Sequence, residues 1–235
     1  SFEQLTQDHQ QFDKLFANIP RIKGHFKDYL HQGYYPFQQE DPLNYHEKIL
    51  AVIDKTIYED IANFYNLKTI NLHHFKKILN FLASIKPGNI SVHNIAKNLS
   101  IDDKTVTNYL INLQHTGLIN LIFPAESGNL SLRRPEKIFL NNTNLQYAIE
   151  GIINSSVEIG SIRELFFIQS TINADKNIFN SKIGDYTIDE FTFEIGGKNK
   201  KKQQIKGKKN AFIVKDDIII SSKNEIPLIF FGFLY

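Results

Sequence analysis

The sequence holds no cysteine, no methionine and no tryptophan. Without cysteine, disulfides, thiol catalysis and thiolate-ligated zinc are excluded, and such a chain fits a reducing cytoplasm. No apolar run approaches the ~20 residues a membrane helix needs, and no signal-peptide pattern opens the chain. The expectation is therefore a cytoplasmic protein with no membrane partner. No Gly-x-x-x-x-Gly-Lys-Ser/Thr sequence occurs, so the chain has no Walker route to nucleotide. His73 and His74 are adjacent and point to different helix faces, and the other histidines are scattered, so no histidine metal site is expected. Methionine is missing even at position 1, and Ser1-Phe2-Glu3 already lies inside a helical pattern. This start is expected to belong to a fragment or a processed chain.

What is present is ordinary globular material. The 235 residues are 42% hydrophobic and 22% charged, enough for a core in one large domain or two small ones. The charge is unevenly spread. Residues 196–215 carry eight lysines and no acid against a formal net charge of +2, so the remainder sums to −6. Such a block is a candidate polyanion contact, and its competing reading is a solvated lysine loop.

Residues 1–31 carry a helical apolar spacing interrupted by Pro20, and Gly33 closes it. The apolar loop Tyr34–Phe37 is expected to pack against another domain. Helices are expected over 43–65 and 71–86, and Pro87-Gly88 stops the second. Ser91 caps a short helix, and Ser100–Asp102 is a tight turn. Asp103 is placed as the cap of a helix whose Val106, Leu110 and Leu113 face inward and whose end is Gly117. Strands follow at 118–123 and 130–133. This order, helix-turn-helix then hairpin, is that of a winged helix. After Asn141 come two helices, at 145–149 and 160–172. Strand patterns then dominate, at 178–179, 186–188, 191–195, 211–214, 217–221 and 226–235. The last is read as a buried strand ending the chain. The fold class is thus mixed α and α/β.

Two constellations carry chemistry. The outward face of the second winged-helix helix would be Lys104, Thr105, Thr107, Asn108, Asn112 and His115. Asn and Thr suit base edges and Lys suits phosphate, and Arg133 and Arg134 end the wing. The second set is Glu164, Asp185, Glu194 and Lys198. Two carboxylates on adjacent strands can converge on a divalent cation that serves phosphodiester hydrolysis, and a helix glutamate can complete the set. Strand parity would put a lysine on the face of Glu194 at position 196, but that residue is glycine. Lys198 shares the parity yet lies ~13 Å further along an extended strand, so bending at Gly196-Gly197 is required. The competing reading is a group of isolated surface acids.

The blocks FKDYLHQGYYPF (26–37), PEKIFLNNTNLQYAI (135–149), IGSIRELFF (159–167), TFEIGGKNKKKQQIKG (192–207) and IPLIFFGFLY (226–235) resemble the C-terminal part of a bacterial and archaeal AAA-type ATPase family. The resemblance covers nearly the whole chain. It implies a helical remnant of the ATPase lid at 1–66, a winged helix at 67–140 and a PD-(D/E)xK restriction-endonuclease-like α/β domain at 141–235. It also implies that the P-loop domain is a missing N-terminal partner and that ATP is bound only there. Glu164, Asp185 and Glu194 match the acids of the nuclease-like motif. Asp185 and Glu194 would hold Mg²⁺ or Mn²⁺, and Gly196 stands at the lysine position, so cleavage is expected to be slow or absent. DNA would be met by Lys104, Thr105, Asn108, Arg133, Arg134 and the segment containing Lys200, Lys201 and Lys202. A second hypothesis is a docking module that assembles and regulates the ATPase without nucleic acid.

Overall fold

In a computed structural model, residues 1–86, 90–125, 134–156, 158–201 and 203–234 are described. They form a mixed α/β structure with ten α-helices and seven strands. The chain divides into two compact units. One comprises residues 1–29, 122–134 and 162–235, and the other residues 30–121 and 135–161. The segment 1–66 is shared between them.

In the second unit, helix α4 (Tyr45–Lys55) runs into a π-helical turn, Thr56–Ile61, and then α5 (Ala62–Phe64). Ile49, Ile53, Ile57 and Ile61 recur every four residues and are all buried. The wide turn keeps this spacing-four stripe inward, and Phe64 beyond it is 83% exposed. Helix α6 (Thr69–Ser84) buries Leu72, Phe75, Ile78, Leu79 and Leu82, the stripe its sequence spacing predicts. Ser91 caps α7 (Val92–Leu99), its hydroxyl accepting from Asn94 N at 3.1 Å.

Helix α8 (Asp103–His115) is capped by Asp102, one residue before the expected cap, with Thr105 N donating to Asp102 Oδ1 at 2.9 Å. Val106, Leu110 and Leu113 are buried as expected. Gly117 takes φ +71 and donates to Gln114 O, and Leu118 N donates to Leu113 O. This is the left-handed stop that glycine allows. Strand β1 (Ile119–Pro124) lies beside β2 (Lys137–Leu140). The expected second strand at 130–133 lies outside the described residues, as does Arg133.

The loop Tyr34–Phe37, expected to pack against another domain, finds its partners inside this same unit. Asn144, fully buried, accepts from Tyr34 N (2.8 Å) and the Tyr45 hydroxyl and donates to Leu30 O (2.8 Å). Asn142 caps α9 (Thr143–Ile153) and donates to the Tyr35 hydroxyl at 3.0 Å. The Tyr35 and Phe37 rings stack at 5.4 Å. The polar turn after β2 thus satisfies the backbone and hydroxyl groups of an aromatic loop that needs both an apolar bed and hydrogen-bond partners.

The first unit begins with short pieces: α1 (Phe2–Gln7), α2 (Asp13–Ala17) and most of α3 (Ile22–Gln32). Leu15 and Ile19, expected in an apolar stripe, are 63% and 40% exposed. Most of helix α10 (Ile159–Asn173) follows. The end of β1 pairs parallel with β3 (Phe179–Asn180). Antiparallel pairing joins β3 to β4 (Tyr186–Ile188) and β4 to β5 (Phe191–Gly196). Parallel pairing then joins β5 to β6 (Ala211–Lys215) and β6 to β7 (Glu225–Pro227).

Two expected strands fail for local reasons. At 217–221 Asp217 takes φ +64, and Ile220 is 66% exposed, so an apolar run becomes a loop. At 226–235 Pro227 removes the ladder donor, and a 3-10 helix, Leu228–Phe233, follows with Leu228, Ile229, Phe230 and Phe231 buried.

Strand parity sorts the side chains of β5. Phe193 meets Phe167 of α10 at 5.3 Å, and its register partner Tyr186 meets the same ring at 5.8 Å. Glu194 alternates to the opposite face, in register with Ile213. Parallel strands need a connection that crosses the sheet, usually a helix. Here the β5–β6 crossover is the lysine segment, 197–210. It buries Ile205 against Ala211 and Ile213.

Candidate functional site

The three acids end up with different partners. Glu164 on α10 accepts from the Tyr186 hydroxyl at 2.5 Å. Burial, first of all, and then the charges of Glu164 and Asp185 push the Tyr186 phenol far above the usual tyrosine range. Asp185 stands just before β4, at the edge of a β4–β5 ladder whose first pair is Tyr186–Phe193. It fastens that edge twice: its N–H donates to Phe193 O at 2.8 Å, and its Oδ2 accepts from Ile195 N at 2.7 Å. Gly184 permits this approach. It takes φ +78, and a Cβ there would lie 2.9 Å from Phe193 O.

Glu194 is 1% exposed, and its Oε1 lies 3.1 Å from Lys200 Nζ. Its Oε2, also buried, has no hydrogen-bond partner among the described residues. The lysine at this carboxylate is Lys200, and Lys198 is exposed on the loop. Beyond Gly196 the strand ends, and Lys200 N donates to Gly197 O at 2.9 Å. That turn sends the chain back, so extended parity no longer applies. A Cβ on Gly196 would sit 2.6–2.8 Å from the Lys200 stem. On the neighbouring residue, a Gly197 Cβ would meet the Arg163 guanidinium at 3.2 Å, and Arg163 Nε donates to Asp216 Oδ2 at 2.9 Å.

These arrangements fit a divalent cation poorly. Among the described residues no group of three or more His, Cys, Asp or Glu is placed to hold a metal ion. An oxygen of Glu164 is engaged by a hydroxyl, one of Asp185 by a backbone N–H and one of Glu194 by an ammonium.

The lysine crossover presents a different surface. Lys198, Lys201, Lys206, Lys208 and Lys209 are exposed, and Ile205 and Lys200 face inward. Lys202 lies outside the described residues. Helix α8 is less basic. Lys104 and Asn108 are exposed, but the Thr105 hydroxyl donates to Asp102 Oδ2 at 2.6 Å and the Thr107 hydroxyl to Asp103 O. Asn112, expected outward, is 8% exposed because it falls on the inward stripe beside Leu113. Asp102, whose carboxyl the Thr105 hydroxyl and backbone hold below the usual aspartate value, already fills the helix N-terminus. Arg134 is exposed.

One feature of the second unit escaped sequence reading. An open cavity of about 680 Å³ is lined by Glu59, Asp60, Asn63, Phe64, Tyr65, His115 and Thr116. The Tyr65 hydroxyl lies 3.0 Å from His115 Nδ1. Its position depends on the π-helical turn, which periodicity at 3.6 residues does not anticipate.

A family described as a domain of unknown function, DUF8612, matches residues 23–156. The chain belongs to that family. The DUF8612 match spans most of the second unit. The chain is also similar, at 26% identity over 166 residues, to the uncharacterized protein MJ1637 of Methanocaldococcus jannaschii, with 68% of this chain and 35% of the relative covered. It thus spans about a third of that relative's length. No solved structure matches it. Among the described residues no helix is long and apolar enough to cross a membrane.

Proposed function

We propose that this chain is the C-terminal region of a cytoplasmic AAA-type ATPase and binds nucleic acid without cutting it. In this reading residues 67–140 are a winged helix, supported by the succession of α6, α7, α8, β1 and β2. Residues 141–235 are a restriction-endonuclease-like domain, supported by α10 leading into a mixed sheet in which Asp185 abuts β4 and Glu194 lies on the adjoining β5. ATP belongs to the N-terminal partner domain. The observation that carries the proposal is the β5–β6 crossover: five exposed lysines, no acid, and two anchors that hold the segment on the sheet, the half-buried Lys200 at Glu194 and the buried Ile205. A fixed array of ammonium groups suits phosphate, which positions a polymer without reading its sequence. The nuclease-like acids are engaged with protein groups, and the expected product of incubating DNA with Mg²⁺ or Mn²⁺ is intact DNA.

The test is oligonucleotide binding by fluorescence anisotropy across a salt series. Replacing Lys201, Lys206, Lys208 and Lys209 by glutamine should weaken binding alike for unrelated duplex sequences. It should also flatten the log-affinity slope by about 0.9 for each phosphate left without its ammonium. An unchanged slope assigns these lysines to solvent and refutes the proposal.

A second reading, docking without nucleic acid, draws on the open cavity with Phe64 83% exposed and on the acids heading α8. It expects Phe64→Ser to weaken association with the separately expressed ATPase portion in sedimentation and to leave the salt slope untouched.

A further inference from the structure

A carboxylate at 1% exposure is costly to hold without a cation, because removing it from water forfeits several kcal/mol of hydration. Glu194 nevertheless sits there, between Phe193 and Ile195 on a central strand, with one oxygen unpartnered among the described residues. Its cation comes from the chain itself. The turn Gly197–Lys200 folds the lysine stem back over Gly196, where any side chain would collide with it, and delivers the ammonium to Glu194 Oε1 at 3.1 Å. Arg163 braces the far side of the same turn, close against Gly197 and paired with Asp216, itself 9% exposed.

We infer that Lys200 is a built-in counter-cation, an ammonium supplied by the chain itself where a divalent metal would otherwise have to serve, and that through Glu194 it positions the lysine crossover for phosphate. The functional part of this inference rests on the nucleic-acid reading above; the counter-cation part does not. The disagreement with a metal site is thus given a cause. Glu194 is committed to Lys200, Asp185 is committed to the Ile195 N–H, and the pair acts as a fastening for the loop. Lys200 is a positioning residue and not a catalytic one, since it acts by holding the exposed lysines on either side of it.

Four proteins decide the matter: the wild-type chain, Lys200→Met, Glu194→Gln and the double variant. Methionine keeps an aliphatic stem over Gly196 and removes the ammonium. The measurements are manganese titration by calorimetry, the rate of cleavage within 197–210 by a nonspecific protease, and oligonucleotide affinity. Wild type should give no manganese binding. Lys200→Met should be cut faster in the crossover and drop roughly tenfold in oligonucleotide affinity as the exposed lysines lose their placement. The double variant, with no buried charge left unpaired, should recover wild-type protease resistance and most of the affinity.

Stoichiometric manganese binding by wild type overturns the inference. So does a Lys200→Met variant that weakens oligonucleotide binding no more than Lys201→Gln does, keeps its protease resistance and is not rescued by Glu194→Gln. If Lys200→Met does not fold, the double variant decides: a folded, protease-resistant double variant supports the pairing, and an unfolded one refutes it. If wild type binds no oligonucleotide, the nucleic-acid reading fails, and the manganese and protease measurements still judge the counter-cation.

Discussion

Gly184 and Gly207 share one φ, +78, in different surroundings. A Cβ added to Gly207 meets nothing within 4 Å. One added to Gly184 lies 2.9 Å from the Phe193 carbonyl oxygen and 3.1 Å from side-chain carbons of both Ile205 and Thr192. Alanine at either site incurs the left-handed penalty of about 1–2 kcal/mol. At Gly184 the added carbon also runs into backbone. A carbonyl fixed by its hydrogen bond to Asp185 N cannot step aside as a flexible side chain would. Overpacking of this kind adds about 1–3 kcal/mol. Gly184→Ala should therefore lower stability by about 2–5 kcal/mol and Gly207→Ala by about 1–2 kcal/mol. Urea denaturation followed by circular dichroism reads both midpoints, and an unchanged slope identifies the shift as stability and not compactness. Equal losses in the two variants would refute the claim that contact with Phe193, Ile205 and Thr192 excludes a side chain at Gly184.

Asp102→Ala removes the α8 cap and should destabilise the protein by about 1 kcal/mol, with oligonucleotide affinity unchanged or slightly raised as a negative charge is removed; a large fall in affinity would return α8 to the binding surface. Asn144→Ala removes the acceptor of Tyr34 N and the Tyr45 hydroxyl and one of two donors to Leu30 O, which Thr143 still serves, and should cost about 2 kcal/mol or more; a thermal shift near zero would show that the aromatic loop is not held by this side chain. Because the folded state raises the Tyr186 phenol far above its ordinary value near 10.0, its stabilising contribution is complete below that pH and is lost as pH rises beyond it. Tyr186→Phe should therefore flatten the fall of stability above that pH, measured by denaturation at a series of alkaline values, and an identical fall in both proteins would sink the assignment.

Much of the local structure was legible in the sequence because short-range rules govern it. The stripe of α8, the serine cap of α7 and the stop at Gly117 all follow from helical spacing and terminal chemistry. The lysine beside Glu194 was not legible, because parity along a strand holds only while the strand lasts. Here β5 ends at Gly196, and a hydrogen-bonded turn carries Lys200 back where an extended count would place it far away. The run Asp217–Ser221 looked like a strand by its isoleucines, yet pairing is a property of neighbours, and Asp217 turns the backbone out of the extended region. The placement of Asp185 and Glu194 at neighbouring strands could be guessed from the two strand patterns. Their engagement with Ile195 N and Lys200 depends on backbone approach at Gly184 and Gly196 that composition does not encode.

The π-helical turn at Thr56–Ile61 works as a single-residue spacer in the helix that carries it. An α-helix advances by about 100° per residue, so the wide turn resets the rotational phase of everything after it. Upstream, Ile49 and Ile53 set the buried azimuth. Downstream, Phe64 emerges at 83% exposure and Tyr65 reaches His115. Removing one residue between Thr56 and Ile61 would let the helix continue in plain α register and swing Phe64 by about one such step toward the interior. Length at this point is therefore a coordinate of the surface. A deletion that leaves every lining residue of the neighbouring cavity in the chain would still dismantle the cavity, whereas many point substitutions along its rim would leave its shape in place.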